Sequence, residues 1–237
     1  MRSINIEIDA KKIALSFFLV VIFLLMVNML GLFLFFTIDE YKIFGIVYWF
    51  DFDHENNIPA IYSGFTLLFC SLLLFIISIS KKNQYTHCAY WAVLSILFAY
   101  LSFDEVLVIH EQIGDMTEQF VTAEGFLFFP WVIPYGLLLI CFVITYARFL
   151  FALPRKTMIL FIASGVIFIA GALGFEVFSA KEAYLHGYNS IKYCILYTCE
   201  EFCEMSGIVL FLYALLLYLK EEINYLSLYK IRTIYFK

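Results

Sequence analysis

The chain has 237 residues, of which 64 % are hydrophobic, 20 % aromatic and only 15 % charged, where a soluble domain carries about 25 % charged residues. That balance excludes an ordinary soluble domain; the net charge of −5 says little about nucleic acid, because the basic residues sit in short clusters at helix ends, and no nucleic-acid motif is present. The six cysteines fall mostly inside apolar runs and form no C-x-x-C pair, so no disulfide framework is expected.

The first apolar run, about 13–38, is too long for the h-region of a cleaved signal and lacks a small-residue cleavage site. It is expected to remain as a signal anchor. The stretch "IFGIVYWFDFDHENN" (43–57) mixes aromatics with acids and reads as a re-entrant or surface segment, with Tyr48 and Trp49 in the aromatic belt. Further apolar runs follow at about 59–80, 88–112, 126–149, 157–180 and 192–219, each near the roughly 20 residues that a bilayer requires. The expectation is an all-α polytopic membrane protein of six transmembrane helices, forming a single transmembrane domain over 1–237. In "FLFFPWVIPYG" (126–136) Pro134 is expected to kink the fourth helix. The small residues of "ASGVIFIAGALG" (163–174) suit close approach of a neighbouring helix to the fifth.

Six spans place both termini on one side, and charge chooses the side. Of the 15 basic residues, 12 fall in the terminal segments and alternate loops around Lys81, Arg148 and Lys220, against only Lys42, Lys181 and Lys192 in the others. By the positive-inside rule both termini are expected to be cytoplasmic, in a multi-pass protein of the cell inner membrane.

The spans contain seven carboxylates: Asp104, Glu105 and Glu111 on the third, Glu176 on the fifth, and Glu200, Glu201 and Glu204 on the sixth. No lysine or arginine stands mid-span to pair them, although an unpaired charge at the bilayer centre costs at least about 2.5–3.5 kcal/mol. At the helical rise, Glu111 lies roughly 5 Å and Asp104 about 15 Å inside the outer end of the third span. Glu176 then lies about 6 Å, and Glu200 to Glu204 roughly 12–18 Å, below the same surface. Three helices distant in sequence are therefore expected to bring their acids to similar depth, all in the outer half. Asp104 and Glu111 are two turns apart on one face, Glu200 and Glu204 one turn apart, and His110 lies at the edge of its helix's acidic face. Asn28, on the first helix at similar depth, suits a hydrogen bond into the cluster.

Three arrangements neutralise such a cluster: bound divalent metal, protonated acids that titrate during cation or proton transport, or acids hydrogen-bonded between packed helices. The preferred expectation is a divalent-metal site with Asp104, His110, Glu111, Glu200 and Glu204 as ligands, and Glu176 or Glu201 as general base if the site is catalytic. Oxygen-rich ligands with one imidazole suit zinc, iron or manganese. Helix six, "CEEFCEMSG" (199–207), lacks the Glu-x-x-His of di-iron bundles, which favours zinc with Cys199 or Cys203. The bilayer location implies a lipid-like substrate or a cation as partner. A transporter or transporter subunit, and a helper subunit of a membrane complex, are the alternatives. His54 and His186 read as solvated loop residues.

The strings "LSFDEVLVIHEQIG" (101–114) and "YTCEEFCEMSGIVLFLYALL" (197–216), with "WVIPYG" (131–136) and "GALGFEVF" (171–178) between them, resemble segments of a group of bacterial multi-span membrane proteins of no assigned activity. The resemblance spans about the last 150 residues and implies no reaction. The seven-helix metal hydrolases related to alkaline ceramidase use several intramembrane histidines and a serine, and this chain has one such histidine, so their activity does not carry over.

Overall fold

A computed structural model of the chain describes residues 9–37, 48–81 and 85–235, with side chains described over 9–37, 48–81 and 88–221. The expectations for Ile38 and for residues 43–47 lie outside these ranges. In chain order the helices are α1 (Ala10–Thr37), α2 (Ile58–Ser80), α3 (Tyr85–Leu107), α4 (Ile109–Thr117), α5 (Val132–Phe151), α6 (Arg155–Ile169), α7 (Glu176–His186) and α8 (Ile191–Tyr235). There is no strand among the described residues. A π-helical segment, Ala170–Phe175, fuses α6 to α7. Among the described residues six stretches are long and apolar enough to cross a membrane: Ala10–Thr37, Ile58–Ser80, Cys88–Leu107, Val132–Phe151, Arg155–His186 and Ile191–Glu221. The fold is therefore all-α with six candidate spans, as the hydropathy pattern dictates.

Helix α8 is the axis of the bundle, packing against α1, α2, α6, the π segment and α7. Away from the acids, its Leu212 and Leu215 are fully enclosed with Leu74 and Ile77 of α2 and Trp91 of α3. The Trp91 ring stands edge-on to Phe149 at 5.1 Å, which fixes the far end of α5 to the same core. Helix α2 starts where its sequence signals a start: the Asn57 side chain accepts from the Ala60 N–H at 3.1 Å, and Pro59 occupies the first turn, where a missing N–H leaves nothing unsatisfied.

Two sequence expectations need revision. The third run is not one helix over 88–112: it breaks at Val108, whose φ of 54° lies in the left-handed region, and α4 sets off in a new direction. A branched side chain there costs about 1–2 kcal/mol. The compensation is visible, because the Asp104 carboxylate accepts the His110 backbone N–H at 2.7 Å and so replaces the helical hydrogen bond lost at the break. The fourth helix begins at Val132 rather than 126, after a short 3₁₀ turn at Gly125–Leu127, so Pro134 sits in its first turn and kinks nothing.

The close helix approach expected from the small residues is present. A Cβ on Gly171 would stand 2.6 Å from the Glu200 carbonyl oxygen, and one on Gly207 2.8 Å from the Phe168 backbone nitrogen. Neither backbone can yield cheaply. Gly171→Ala and Gly207→Ala are each expected to lower stability by about 1–3 kcal/mol, seen as a lower midpoint of thermal unfolding in detergent. Gly165→Ala, which meets nothing within 4 Å, is the matched control and is expected to be neutral or stabilising by up to about 1 kcal/mol.

Candidate functional site

One end of the bundle, formed by residues 51–57, α4 and the adjoining ends of α5, α7 and α8, encloses a cavity of about 190 Å³. That is room for about six waters. Asp104 and Glu105 reach it from α3, and His110 and Glu111 from α4. Glu176 and Ser179 enter from α7, and Glu200, Glu201 and Glu204 from the facing side of α8. All seven carboxylates singled out in the sequence thus line one space. The 51–57 segment adds two more, Asp53 and Glu55. Among the described residues no lysine or arginine lines it.

The π segment explains how Glu176 joins the others. Its wider turn changes the phase of the helix just before Glu176, and Gly171 within it lets the backbone press against α8 at Glu200 and Glu204. Glu176 then accepts the Trp131 indole N–H at 2.8 Å. Ser179 stands between Glu176 and Glu200, its hydroxyl 3.4 Å from one carboxylate and 3.1 Å from the other.

Asp104 organises the opposite wall. Its Oδ1 accepts the His110 backbone N–H and lies 3.3 Å from His110 Nδ1, while its Oδ2 accepts the Tyr135 hydroxyl at 2.9 Å. His110 Nε2 points the other way, 3.7 Å from Glu55 Oε1. Burial alone would lower the pKa of His110, but the hydrogen bond and charge of Asp104, joined by Glu55 and Glu105, outweigh it and raise the value to about 9. Burial raises Glu55 to about 7 against the pull of His110, and raises Asp53 to about 6 against its hydrogen bond from Tyr193. The imidazolium is the cation that the chain itself supplies to this wall.

Residues 51–57 fold over the cavity as a cover. Tyr193 and Tyr197 of α8 donate their hydroxyls to Asp53 and Asp51, at 2.5 Å and 3.0 Å. Asn28 is 2 % exposed and lies beside the cavity rather than in it. Its Oδ1 accepts the Phe52 N–H at 3.1 Å and its Nδ2 donates to Thr198 at 3.0 Å, tying the cover to α1 and α8.

Other sequence candidates lie apart. Cys199 and Cys203 do not line the cavity, and Cys194 packs in the apolar cluster with Val21 and Tyr197. His54 lies against the Tyr48 ring, and His186 pairs with Glu182, which Lys192 also contacts at 2.7 Å. Among the described residues, no group of three or more His, Cys, Asp and Glu side chains is placed to hold a metal ion as it stands. The sequence reading missed Asp53, Glu55, Trp131, Tyr135, Tyr193 and Tyr197. For the last two the signal was there: 193, 197, 200, 201 and 204 fall on one helical face.

Two outcomes follow from these contacts. His110 holds its proton more tightly folded than unfolded, so its stabilisation is complete below about pH 6.5 and is lost as pH rises through about 9. Thermal midpoints in detergent are expected to fall over that window, and the fall should be shallower in His110→Gln, with about 2–4 °C for each kcal/mol lost. Asn28→Leu leaves the Phe52 N–H without its acceptor, an expected cost of about 1–3 kcal/mol. Hydrogen exchange should report it as faster exchange at Phe52 and its neighbours, with the α2–α3 pair unchanged.

No curated protein and no solved structure matches the chain. The family described as a domain of unknown function, DUF8692, has a model that matches residues 14–219, a range that reaches into all six spans and contains every carboxylate of the cavity; the chain belongs to that family.

Proposed function

We propose that the cavity of this integral membrane protein binds a divalent cation through its carboxylates. The observation that supports this reading is the imbalance of the lining. Nine carboxylates face the space, and the donors beside them are already spent on carboxylates: Trp131 on Glu176, Tyr135 on Asp104, Tyr193 on Asp53 and Tyr197 on Asp51. What remains is a wall of acceptors. Buried charge without a partner is expensive, and a cation from outside the chain resolves it.

Hard oxygen donors with a single imidazole fit zinc, iron or manganese. Because both Asp104 oxygens are engaged by His110 and Tyr135, we place the cation nearer Glu105, Glu200, Glu201 and Glu204, with the Asp104–His110 pair and Glu111 flanking it. The carboxylates surround a space instead of meeting at a point, so loading requires rotamer changes that draw them inward. When bound, such an ion would polarise an oxygen of a substrate or lower the pKa of a water. We further propose that the site end faces outward, with the termini cytoplasmic in a bacterial inner membrane, as the distribution of basic residues argues.

A through-path for ions finds less support. The other half of the bundle is filled by Leu74, Ile77, Trp91, Phe161, Leu212 and Leu215, and no buried carboxylate is found among the described residues there.

Purified protein, expressed with supplements of zinc, iron and manganese, should carry at least one equivalent of divalent metal by elemental analysis. The Glu201→Gln, Glu204→Gln double variant should lose it, with affinity reduced about 100-fold or more if both are ligands. Wild-type protein that stays metal-free under all three supplements would sink the reading; a double variant that retains full metal would refute the ligand assignment.

A further inference from the structure

The wall of the cavity between α3 and α5 differs from the rest. Tyr135 lines the cavity, and its hydroxyl donates to Asp104 while meeting the Tyr100 hydroxyl at 2.7 Å. Tyr100 does not line the cavity, yet it is 37 % exposed. Its open surface therefore faces the outside of the bundle. It lies on the same stripe of α3 as Ile96, Phe103 and Leu107, all well exposed. Seven residues before the end of α3, it is about 10 Å inside the span, at the depth of lipid rather than of bulk water.

A polar hydroxyl pair is thus set in a lipid-facing apolar stripe, one hydrogen bond from a cavity carboxylate. Phenol groups in hydrocarbon seek partners, and this pair leads from the bilayer directly to Asp104. The helix beside it is loosely held. In α5 the buried residues are Val132, Tyr146 and Phe149, leaving residues 133–145 without an enclosed side chain. Next to Tyr135, a Cβ on Gly136 would meet nothing within 4 Å.

We infer that the cavity receives the hydroxyl-bearing head group of a neutral membrane lipid, admitted sideways between α3 and α5 past the Tyr100–Tyr135 pair. The inference rests on reading the acid-walled cavity as a binding site. Its chemistry follows from the direction of the hydrogen bonds. Tyr135 gives its proton to Asp104, so Tyr100 gives its own to Tyr135 and leaves its oxygen as an acceptor toward the lipid. Beyond it stand carboxylate acceptors. A head group that donates, such as glycerol or another polyol, is matched at each step, whereas a phosphate would meet like charge. The exposed side chains of Ile96 and Phe103 on the Tyr100 stripe of α3, with Leu138 one turn from Tyr135 on α5, then offer the chains of that lipid an apolar track.

The test uses the full chain in nanodiscs with two photoactivatable probes, a diacylglycerol and a phosphatidic acid carrying the same diazirine acyl chain. Labelled peptides are mapped by mass spectrometry, and metal content is measured on the same discs. Diacylglycerol is expected to label the peptides around Tyr100 and Tyr135 by about tenfold more than phosphatidic acid does, since one like-charge contact outweighs a decade of affinity. Gly136→Trp, which fills open space, should abolish that preference, while Gly165→Trp on α6, equally open, should not. Equal labelling by both probes, labelling spread evenly over all lipid-facing helices, or a preference that survives Gly136→Trp would overturn the inference. Metal bound without preferential labelling removes the lipid route alone, and preferential labelling on metal-free protein upholds the route while removing the cation.

Discussion

Nine carboxylates around a space of about 190 Å³, with no lysine or arginine among the described residues of the wall, set the terms for everything at this end of the bundle. Carboxylates are tolerated at membrane depth only when something spreads or matches their charge. The chain does so with short-range donors. Each of Trp131, Tyr135, Tyr193 and Tyr197 reaches from an aromatic body that packs among apolar side chains and gives one proton to one acid. These hydrogen bonds fix orientation without adding positive charge. Among the described lining residues His110 alone can add it, and its position between Asp104 and Glu55 holds the imidazolium against the burial that opposes it.

The local backbone irregularities follow from the same constraint. The break at Val108 swings α4 over the cavity and brings His110 to Asp104. The π segment turns Glu176 toward α8, and Gly171 makes room for that approach. Each departure from a regular helix carries a conformational cost, and each delivers a polar side chain to the cavity. Regular helices, by contrast, build the opposite half around Trp91 and Leu215, where apolar packing makes no such demands.

This division explains which parts were legible in the sequence. Spans are readable because lipid requires long apolar runs, and the acids are readable because charge in those runs is too costly to be accidental. Counting along each helix points Asp104, Glu176 and Glu204 to the same end of the bundle, where they line one cavity. What escaped depends on direction changes that carry no local mark. Val108 is neither glycine nor proline, so nothing announced a left-handed residue there, and the continuous run 88–112 looked like one helix. Asp53 and Glu55 looked like ordinary loop acids because their burial is created by the fold of 51–57, which Asn28 secures from 24 residues away in sequence. Trp131 is an aromatic before a helix, a position that usually signals an interfacial anchor, and only its indole N–H shows that it serves Glu176.

The hydrogen-bond directions carry the argument from structure toward chemistry. A cavity with free donors would receive anions, and one with balanced pairs would need no ligand at all. Here the donors among the lining side chains point at carboxylates, and the surplus is entirely on the acceptor side. A site so arranged selects what it lacks, positive charge or hydroxyl hydrogens. A divalent ion and a polyol head group answer the same deficit from opposite directions: the ion compensates charge near α8, at Glu201 and Glu204, and the head group spends its hydroxyls along the Tyr100–Tyr135–Asp104 chain toward α3. The two walls are therefore complementary in role: one divalent ion offsets only part of the charge of nine carboxylates, so the wall toward α3 stays an array of acceptors that a hydroxyl matches and an anion does not.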